Sequence, residues 1–210
     1  MERIGEFATR ANVTEVAGLA NDFDCEIERM ASNVARRLTA GITLQSSCTP
    51  LEIKLPPDAV ALALGRVVRL RVTLADSSGG GSFTVRLRGD VAPIMAARVL
   101  ALARSGYYTG LVWQRVEPDF VIQGGGLGAN EYVGHPRFMR DELGSVPHVR
   151  GTVGMSTRGH DTGDGQWFVN LRENRRLDLD YTVFGEVVDG IDVVDNVQAG
   201  DVIAKIDIVG

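Results

Sequence analysis

The sequence is poor in the features that mark membrane, disulfide-rich and nucleic-acid-binding proteins. Its 210 residues contain no run of about 18 apolar residues, so no membrane-spanning helix is predicted. Cys25 and Cys48 are the only cysteines; they are too few for a disulfide scaffold and lack zinc-site spacing. Whether they form a single disulfide depends on the redox state of the compartment. The net charge of -5 predicts no nucleic-acid partner, because binding phosphates needs a basic surface.

The N-terminal residues, MERIGEFATR, also lack the apolar stretch of a secretory leader. A cytoplasmic protein is expected if Met1 is the native start. A periplasmic or secreted protein stays open if further residues precede Met1 in the natural gene product, because a leader could then lie upstream. The sequence alone therefore leaves the compartment undecided.

Residue patterns that bind metals or nucleotides are also missing. The three histidines, His135, His148 and His160, are scattered and are interpreted as loop or structural residues. The acidic residues of the same region lack EF-hand spacing; they are Asp141, Glu142, Asp161 and Asp164. The stretch QGGGLGAN lacks the third glycine and the helix-opening pattern of a dinucleotide site. No metal or other cofactor is predicted.

Residues 1–41 have the pattern of a helical hairpin. Apolar residues of its second helix recur at spacings of three and four and form one stripe; they are Ile27, Met30, Ala31, Val34 and Leu38. The hairpin resembles one HEAT-type helical repeat, and a lone repeat cannot bury both of its faces. It is therefore expected to dock on the larger domain or to continue a longer helical array. Residues 42–66 include Pro56 and Pro57 and are predicted to be a linker.

Residues 67–210 have the pattern of a mainly β domain. Alternating segments at 67–74 and 83–87 flank the turn-rich stretch ADSSGGGS and predict a β-hairpin. An amphipathic helix follows Pro93 and stops at Gly106. Further elements are strands over 153–156, 166–170, 182–187 and 202–209, and a helix over 189–197. Many antiparallel strands with two helices predict a closed β-barrel whose ends the helices cover.

The segment over residues 111–126, LVWQRVEPDFVIQGGG, combines an apolar strand with polar side chains. Period-two alternation predicts Phe120 and Ile122 on one face of this strand and Val121 and Gln123 on the other. A polar amide on a buried or half-buried strand needs a functional explanation. We therefore place the candidate site here.

Five separated strings in the larger domain form an ordered set. They are DVAP at 90–93, QRVEPDFVIQGG at 114–125, GTVGMS at 151–156, DTGDGQWFVN at 161–170 and LDLDYTVFGEVVDGIDVV at 177–194. In this order they resemble the cyclophilins, peptidyl-prolyl cis–trans isomerases, of the compact bacterial kind. The resemblance covers residues from about 68 to 210 and says nothing about residues 1–66.

This resemblance implies both a fold and a site. The implied fold is an eight-stranded closed antiparallel barrel capped by two α-helices. Arg115 matches the family's catalytic arginine, and Gln123 matches the glutamine that steadies substrate and arginine. The family's substrate-binding positions match Phe120, Val121, Ser156, Thr157, Gln166, Phe168, Leu177 and Tyr181.

Three residues depart from the family pattern. Gln114 stands in place of the usual histidine before the arginine, and Thr157 in place of the asparagine that binds the substrate backbone. Arg176 stands where the cyclosporin-binding tryptophan would be, so the resemblance implies weak cyclosporin binding. Substrate preference is expected to be affected more than activity, because the arginine and the apolar pocket residues remain.

The resemblance implies acceleration of X-Pro bond rotation in unfolded or flexible protein segments. A cation aimed at the twisted amide would do this without a nucleophile, a proton transfer or a metal. The alternative is a non-catalytic proline-peptide binding or scaffold module, in which the hairpin supplies a partner surface; the altered Gln114 and Thr157 favour it. Both hypotheses predict proline-containing polypeptides as partners.

Overall fold

The computed structural model describes residues 57–76 and 79–209. Within these residues, eight β-strands and three α-helices form a mainly β fold. The predicted hairpin over residues 1–41 and both cysteines lie outside the described residues. None of the helices in the described part of the chain has the length and apolar character needed to cross a membrane.

The strands follow the alternating segments of the sequence closely. They are β1 Arg69–Leu74, β2 Ser82–Leu87, β3 Arg115–Glu117, β4 Val121–Gly124, β5 Thr152–Met155, β6 Trp167–Asn170, β7 Val183–Asp189 and β8 Ile203–Val209. The helices are α1 Pro57–Ala63, α2 Pro93–Arg104 and α3 Ile191–Asn196, and a 3-10 turn lies at Arg175–Leu177. The predicted β-hairpin, the closing strand and both predicted helices are confirmed.

All eight strands belong to one antiparallel sheet, in the order β3-β4-β6-β5-β7-β2-β1-β8. The sheet curls, and its two end strands are connected through the segment at 110–113. In this segment the Trp113 N–H donates to the Asp201 carbonyl at 2.9 Å, and the Leu111 carbonyl accepts from the Ile203 N–H at 2.8 Å. No ladder between β3 and β8 is formed in the described residues. The fold is therefore a curled half-barrel, and the predicted closure goes slightly too far.

Large aromatic side chains fill the inside of the curl. Trp113 and Trp167 are almost fully buried, with ring centroids 5.1 Å apart and planes inclined at 62°. Phe83 packs against both indoles at 6.0 and 6.5 Å, and Phe184 against Trp167 at 6.5 Å. Inclined arrangements of this kind are favourable for aromatic pairs. The core therefore lies on the inner face of the curled sheet, opposite the outer face of β4 and β6.

Helix α2 packs against β7 and β8 through a face of small and aliphatic residues. Pro93 starts the helix, where a missing N–H costs nothing. Its N-cap residue, Ala92, makes no side-chain cap. Instead, the Glu142 carboxylate accepts hydrogen bonds from the Ile94 and Met95 N–H groups at 3.2 and 2.6 Å. A carboxylate at this end of a helix also complements the helix dipole.

Helix α1 corrects only the end of the linker predicted over residues 42–66, because residues 57–63 form a helix and residues 42–56 lie outside the described residues. Ala59 and Leu62 of this helix are buried against the domain, and Asp58 forms ion pairs with Arg66 and with Arg104 of α2. Pro57 is the first helical residue. The proline pair contributed to the linker prediction, whereas proline is well tolerated at the first position of a helix.

Candidate active site

The pairing of four strands places three predicted site residues in one row. Arg115 of β3 lies opposite Gln123 of β4, and Gln123 lies opposite Phe168 of β6. Phe168 in turn lies opposite Gly154 of β5. Directly opposite residues point to the same face of a sheet, so the guanidinium, the amide and the phenyl ring are neighbours. This face is the outer one, because Ile122, which precedes Gln123 in β4 and points to the opposite face, is buried in the core.

Gly154 gives the Phe168 ring its space. A Cβ atom at this position would lie 2.4 Å from Cζ of Phe168. The ring therefore lies directly over the backbone of β5. Every other residue type at position 154 would have to displace it.

Phe120 reaches the same face by a turn and not by strand alternation. Asp119 adopts a left-handed backbone conformation, with φ of 58°, and β4 begins only at Val121. The Phe120 carbonyl accepts hydrogen bonds from the Leu171 N–H and the Asn174 side-chain amide, both at 2.9 Å. The prediction that Phe120 and Ile122 share a face is therefore wrong: Ile122 is in the core.

These side chains line a cavity of about 240 Å³. Nine of the ten predicted site residues contribute to it: Arg115, Phe120, Val121, Gln123, Ser156, Thr157, Phe168, Leu177 and Tyr181. Three further lining residues, Glu131, Tyr132 and Arg158, were not predicted. They lie in loops without hydrophobic periodicity, so the sequence carried no signal for them.

The Arg115 guanidinium is partly exposed and paired with two carboxylates. Its Nη1 lies 3.0 Å from Glu131, and its Nε lies 3.5 Å from Glu117. The Arg115 Cζ also lies 5.8 Å from the centroid of the Phe120 ring. Both carboxylates are themselves half-exposed, and exposed ion pairs of this kind are weak. A ligand in the cavity can therefore compete for the guanidinium.

Gln123 is buried and oriented by a neighbouring hydroxyl. Its side-chain amide donates to Oγ of Ser156 at 2.9 Å, and the Ser156 N–H donates to the Gln166 carbonyl at 2.8 Å. Ser156 is thus fixed from two sides.

Gln166, the tenth predicted site residue, does not line the cavity but supports its wall. Its side chain is buried, accepts a hydrogen bond from Gln114 at 2.8 Å and donates to Asp164 at 3.2 Å. Asp164 is paired with Arg158 at 2.9 Å. Gln114, which stands where the resemblance implies a histidine, therefore takes part in the network that holds Arg158 at the cavity.

The Phe168 ring is held between a histidine and a tyrosine. The buried His148 ring is stacked on it, with centroids 5.8 Å apart and planes inclined at 21°. Tyr181 meets the Phe168 ring edge-on at 5.7 Å. Burial lowers the pKa of His148, and the hydrogen bond to Asp178 opposes this shift only in part. His148 is therefore a neutral structural support, as expected from the sequence.

Arg176 lies over the ring of Phe120. Its Cζ lies 4.3 Å from the centroid of the Phe120 ring, closer than that of Arg115. This is the position at which the resemblance implies a tryptophan in cyclosporin-binding relatives. A guanidinium therefore contacts the pocket aromatic where the resemblance implies an indole.

Comparison with known proteins identifies the class to which this fold and cavity belong. The model of the cyclophilin-type peptidyl-prolyl cis–trans isomerases matches residues 70–208. The chain therefore belongs to the cyclophilin-type peptidyl-prolyl cis–trans isomerase family.

Individual relatives agree with this assignment. A peptidyl-prolyl cis–trans isomerase of Acinetobacter baylyi is 31% identical over 151 residues, which are 66% of this chain and 80% of the relative. Peptidyl-prolyl cis–trans isomerase 10 of Caenorhabditis elegans is 33% identical over 135 residues, covering 61% of this chain and 82% of the relative.

Solved structures share the fold. A Cryptosporidium parvum cyclophilin type peptidyl-prolyl cis–trans isomerase superimposes with a TM-score of 0.62 at 22% identity, and covers 69% of this chain and 99% of its own. A structure of the same protein in the presence of the dipeptide Ala-Pro gives a TM-score of 0.61, also at 22% identity, and covers 68% of this chain and 99% of its own.

Proposed function

We propose that this protein accelerates the rotation of X-Pro bonds in flexible polypeptides, with Arg115 stabilising the twisted amide. The observation that carries the proposal is the meeting of a cation and an aromatic pocket. Arg115, Phe120 and Phe168 line one cavity, although they come from a strand, a turn and another strand.

The chemistry requires selective binding of the transition state. Rotation about an amide bond faces a barrier of about 18 to 20 kcal/mol, because it breaks resonance. In the twisted form, the proline nitrogen regains its lone pair and becomes a hydrogen-bond acceptor. A guanidinium that donates to this nitrogen stabilises the twisted amide more than either planar form, which is the condition for catalysis.

The apolar residues of the cavity would hold the proline ring while the preceding bond turns. Phe120, Phe168 and Leu177 supply the surface for the ring, and Val121 supplies a wall that is itself packed against the domain. Burial of apolar area contributes about 25 cal/mol per Å². One small ring therefore gives modest affinity, which suits release of many different segments.

The polar residues beside the pocket would bind the peptide backbone. The hydrogen bond to Ser156 fixes the Gln123 amide, and Thr157 follows at the edge of the cavity. We assign Gln123 to positioning the substrate carbonyl next to Arg115. Gln166 is assigned to holding this wall, because its own polar atoms are bonded within the protein.

The proposal is tested by exchange NMR spectroscopy on X-Pro peptides with the full chain. Arg115→Ala is expected to lower kcat/KM by about 100- to 1000-fold, the usual cost of removing one preorganised donor. The matched control is Arg71→Ala, which removes an exposed arginine on β1 that does not line the cavity. Full activity of Arg115→Ala, or no acceleration by the unaltered chain, would overturn the mechanism.

A non-catalytic proline-peptide binding module is the second candidate. It is favoured by the pairing of Arg115 with both Glu131 and Glu117, which compete with a substrate for the guanidinium. The same NMR spectra separate the two functions. Chemical-shift changes in the pocket without catalysed cis–trans exchange of the peptide would identify a binding module.

A further inference from the structure

We propose that Arg176 is a specificity-determining residue that selects proline segments carrying an acidic residue close to the proline. This inference rests on the proposed function, because it concerns the substrate class of the same cavity. Arg176 lies in the 3-10 turn directly before Leu177, which lines the cavity. Its guanidinium is held against Phe120 at 4.3 Å.

The contact with Phe120 favours one position of the charge. A guanidinium over an aromatic face is attracted to the ring, and arginine is well suited to this contact. The Phe120 backbone is itself anchored by Leu171 and by the buried Asn174. The cation is therefore favoured at a place beside the surface that receives the proline ring.

The other arginines at this end of the cavity are already paired. Arg115 is paired with Glu131 and Glu117, and Arg158 with the buried Asp164. Within the same turn, Arg175 is paired with two acidic residues of its own segment, Glu173 at 2.9 Å and Asp178 at 3.2 Å.

Arg176 differs from these three arginines. Across residues 57–76 and 79–209, no carboxylate lies within 4.0 Å of its guanidinium. Asp119, although adjacent to Phe120 in sequence, is not paired with Arg176. An arginine whose N–H donors are not engaged by a carboxylate is suited to bind one in a planar, two-point contact.

A substrate carboxylate can reach this guanidinium only if it is near the proline. If the proline ring rests on Phe120, the residues next to the proline come within reach of Arg176, because its guanidinium contacts that same ring. A glutamate there would gain an exposed ion pair, and a lysine would meet a like charge. Exposed pairs contribute modestly, so the preference for glutamate over lysine is expected to be about two- to fivefold in kcat/KM, and weaker in high salt.

The test compares peptides that differ only in the residue before or after an Ala-Pro unit, with Glu, Gln or Lys at that place. Exchange NMR spectroscopy gives kcat/KM for each with the full chain. Glu is expected to exceed Lys at one of the two places, and Arg176→Gln is expected to bring the ratio to about one. Arg172→Gln is the matched control, because Arg172 is an exposed arginine of the same segment without an aromatic contact or a carboxylate partner in the described residues.

Two outcomes would overturn the inference: a Glu to Lys ratio of one in the unaltered chain, or a ratio that survives Arg176→Gln. Failure of the proposed function gives a different result, since then the neutral Gln peptide is not accelerated either. In that case peptide binding is compared by chemical-shift titration. Tighter binding of the Glu peptide that is lost in Arg176→Gln still supports the role of Arg176, and equal binding contradicts it.

Discussion

At the scale of single residues, the site depends on small groups as much as on the arginine. Gly154 leaves the space that the Phe168 ring occupies, and His148 and Tyr181 hold that ring from two other directions. Ser156 orients the amide of Gln123. The pocket is therefore preorganised by residues whose side chains have no part in the proposed hydrogen bond to the proline nitrogen.

Gly154→Ala should show how much the pocket contributes to activity apart from the arginine. The added methyl group would meet the ring at 2.4 Å, so Phe168 must move. A misplaced pocket wall is expected to lower kcat/KM by up to about 100-fold, and the overpacking to cost about 1 to 3 kcal/mol of the free energy of unfolding. Peptide exchange spectra and urea unfolding measure the two effects.

Gly144→Ala is the control, because a Cβ atom there meets nothing within 4 Å. It is expected to leave both quantities unchanged. Full activity of Gly154→Ala would contradict the role given to the Phe168 ring.

At the scale of elements, loops and short helices supply a helix cap, a cavity residue and packing contacts in addition to those of the sheet. Glu142, far from α2 in sequence, caps that helix. The 3-10 turn at Arg175–Leu177 brings Leu177 to the cavity, and its preceding residue, Asn174, ties the turn to Phe120. Helix α1 covers the domain through Leu62, close to Gly89.

Helix α1 is expected to stabilise the domain without contributing to the site. Leu62→Ala removes a fully buried side chain and should lower the free energy of unfolding by about 2 to 5 kcal/mol. None of the residues of α1 lines the cavity, so kcat/KM at low temperature should not change. Urea unfolding and the peptide assay together check this expectation.

Leu64→Ala is the matched control, since Leu64 follows the same helix and is 82% exposed. Equal free energies of unfolding for Leu62→Ala and Leu64→Ala would mean that α1 does not stabilise the domain in solution.

The strands and helices were predicted from the sequence better than the turns and loops that connect them. Alternation in β1, where Leu70, Val72 and Leu74 are buried, was visible because one face of this strand meets the core. Alternation failed at Phe120, since the turn that contains the left-handed Asp119 runs through Phe120 and the strand begins only at Val121. A backbone turn of this kind depends on distant partners, here Asn174, which local periodicity does not reveal.

The same limit applies to the candidate site. The ordered strings placed nine residues around the cavity, because a resemblance carries the three-dimensional arrangement with it. Glu131 and Arg158 were missed, since their positions follow from contacts with Arg115 and the buried Asp164. Helix α1 was missed because residues 42–66 show no sustained periodicity and their proline pair indicated a linker.

At the scale of the whole molecule, the stability of the domain should depend on pH through its buried histidine. Burial lowers the pKa of His148 below its ordinary value of 6.5, so the unfolded chain binds more protons than the native one just below pH 6.5. The free energy of unfolding should therefore fall as the solution is acidified through this window. The pKa of His135 is also lowered, chiefly by burial, and acts in the same direction.

His148→Gln should make this pH dependence less steep, whatever its effect on stability at neutral pH. Urea unfolding between about pH 7 and pH 5 measures the slope. His160→Gln, at an exposed position, is the control. An unchanged slope in His148→Gln would show that His148 does not titrate on unfolding. At still lower pH, Asp178 adds to the loss, because its hydrogen bonds with His148 lower its pKa.

The placement of the two indoles has a practical consequence for spectroscopy. Both tryptophans of the chain, Trp113 and Trp167, are sealed in the core, and the cavity is bordered by Arg176 where an indole would report on a ligand. Tryptophan emission should therefore shift to the red when the whole domain unfolds, and should not change when a peptide binds. An added fluorophore on the peptide, and not the natural emission of the protein, is the probe to choose for titrations.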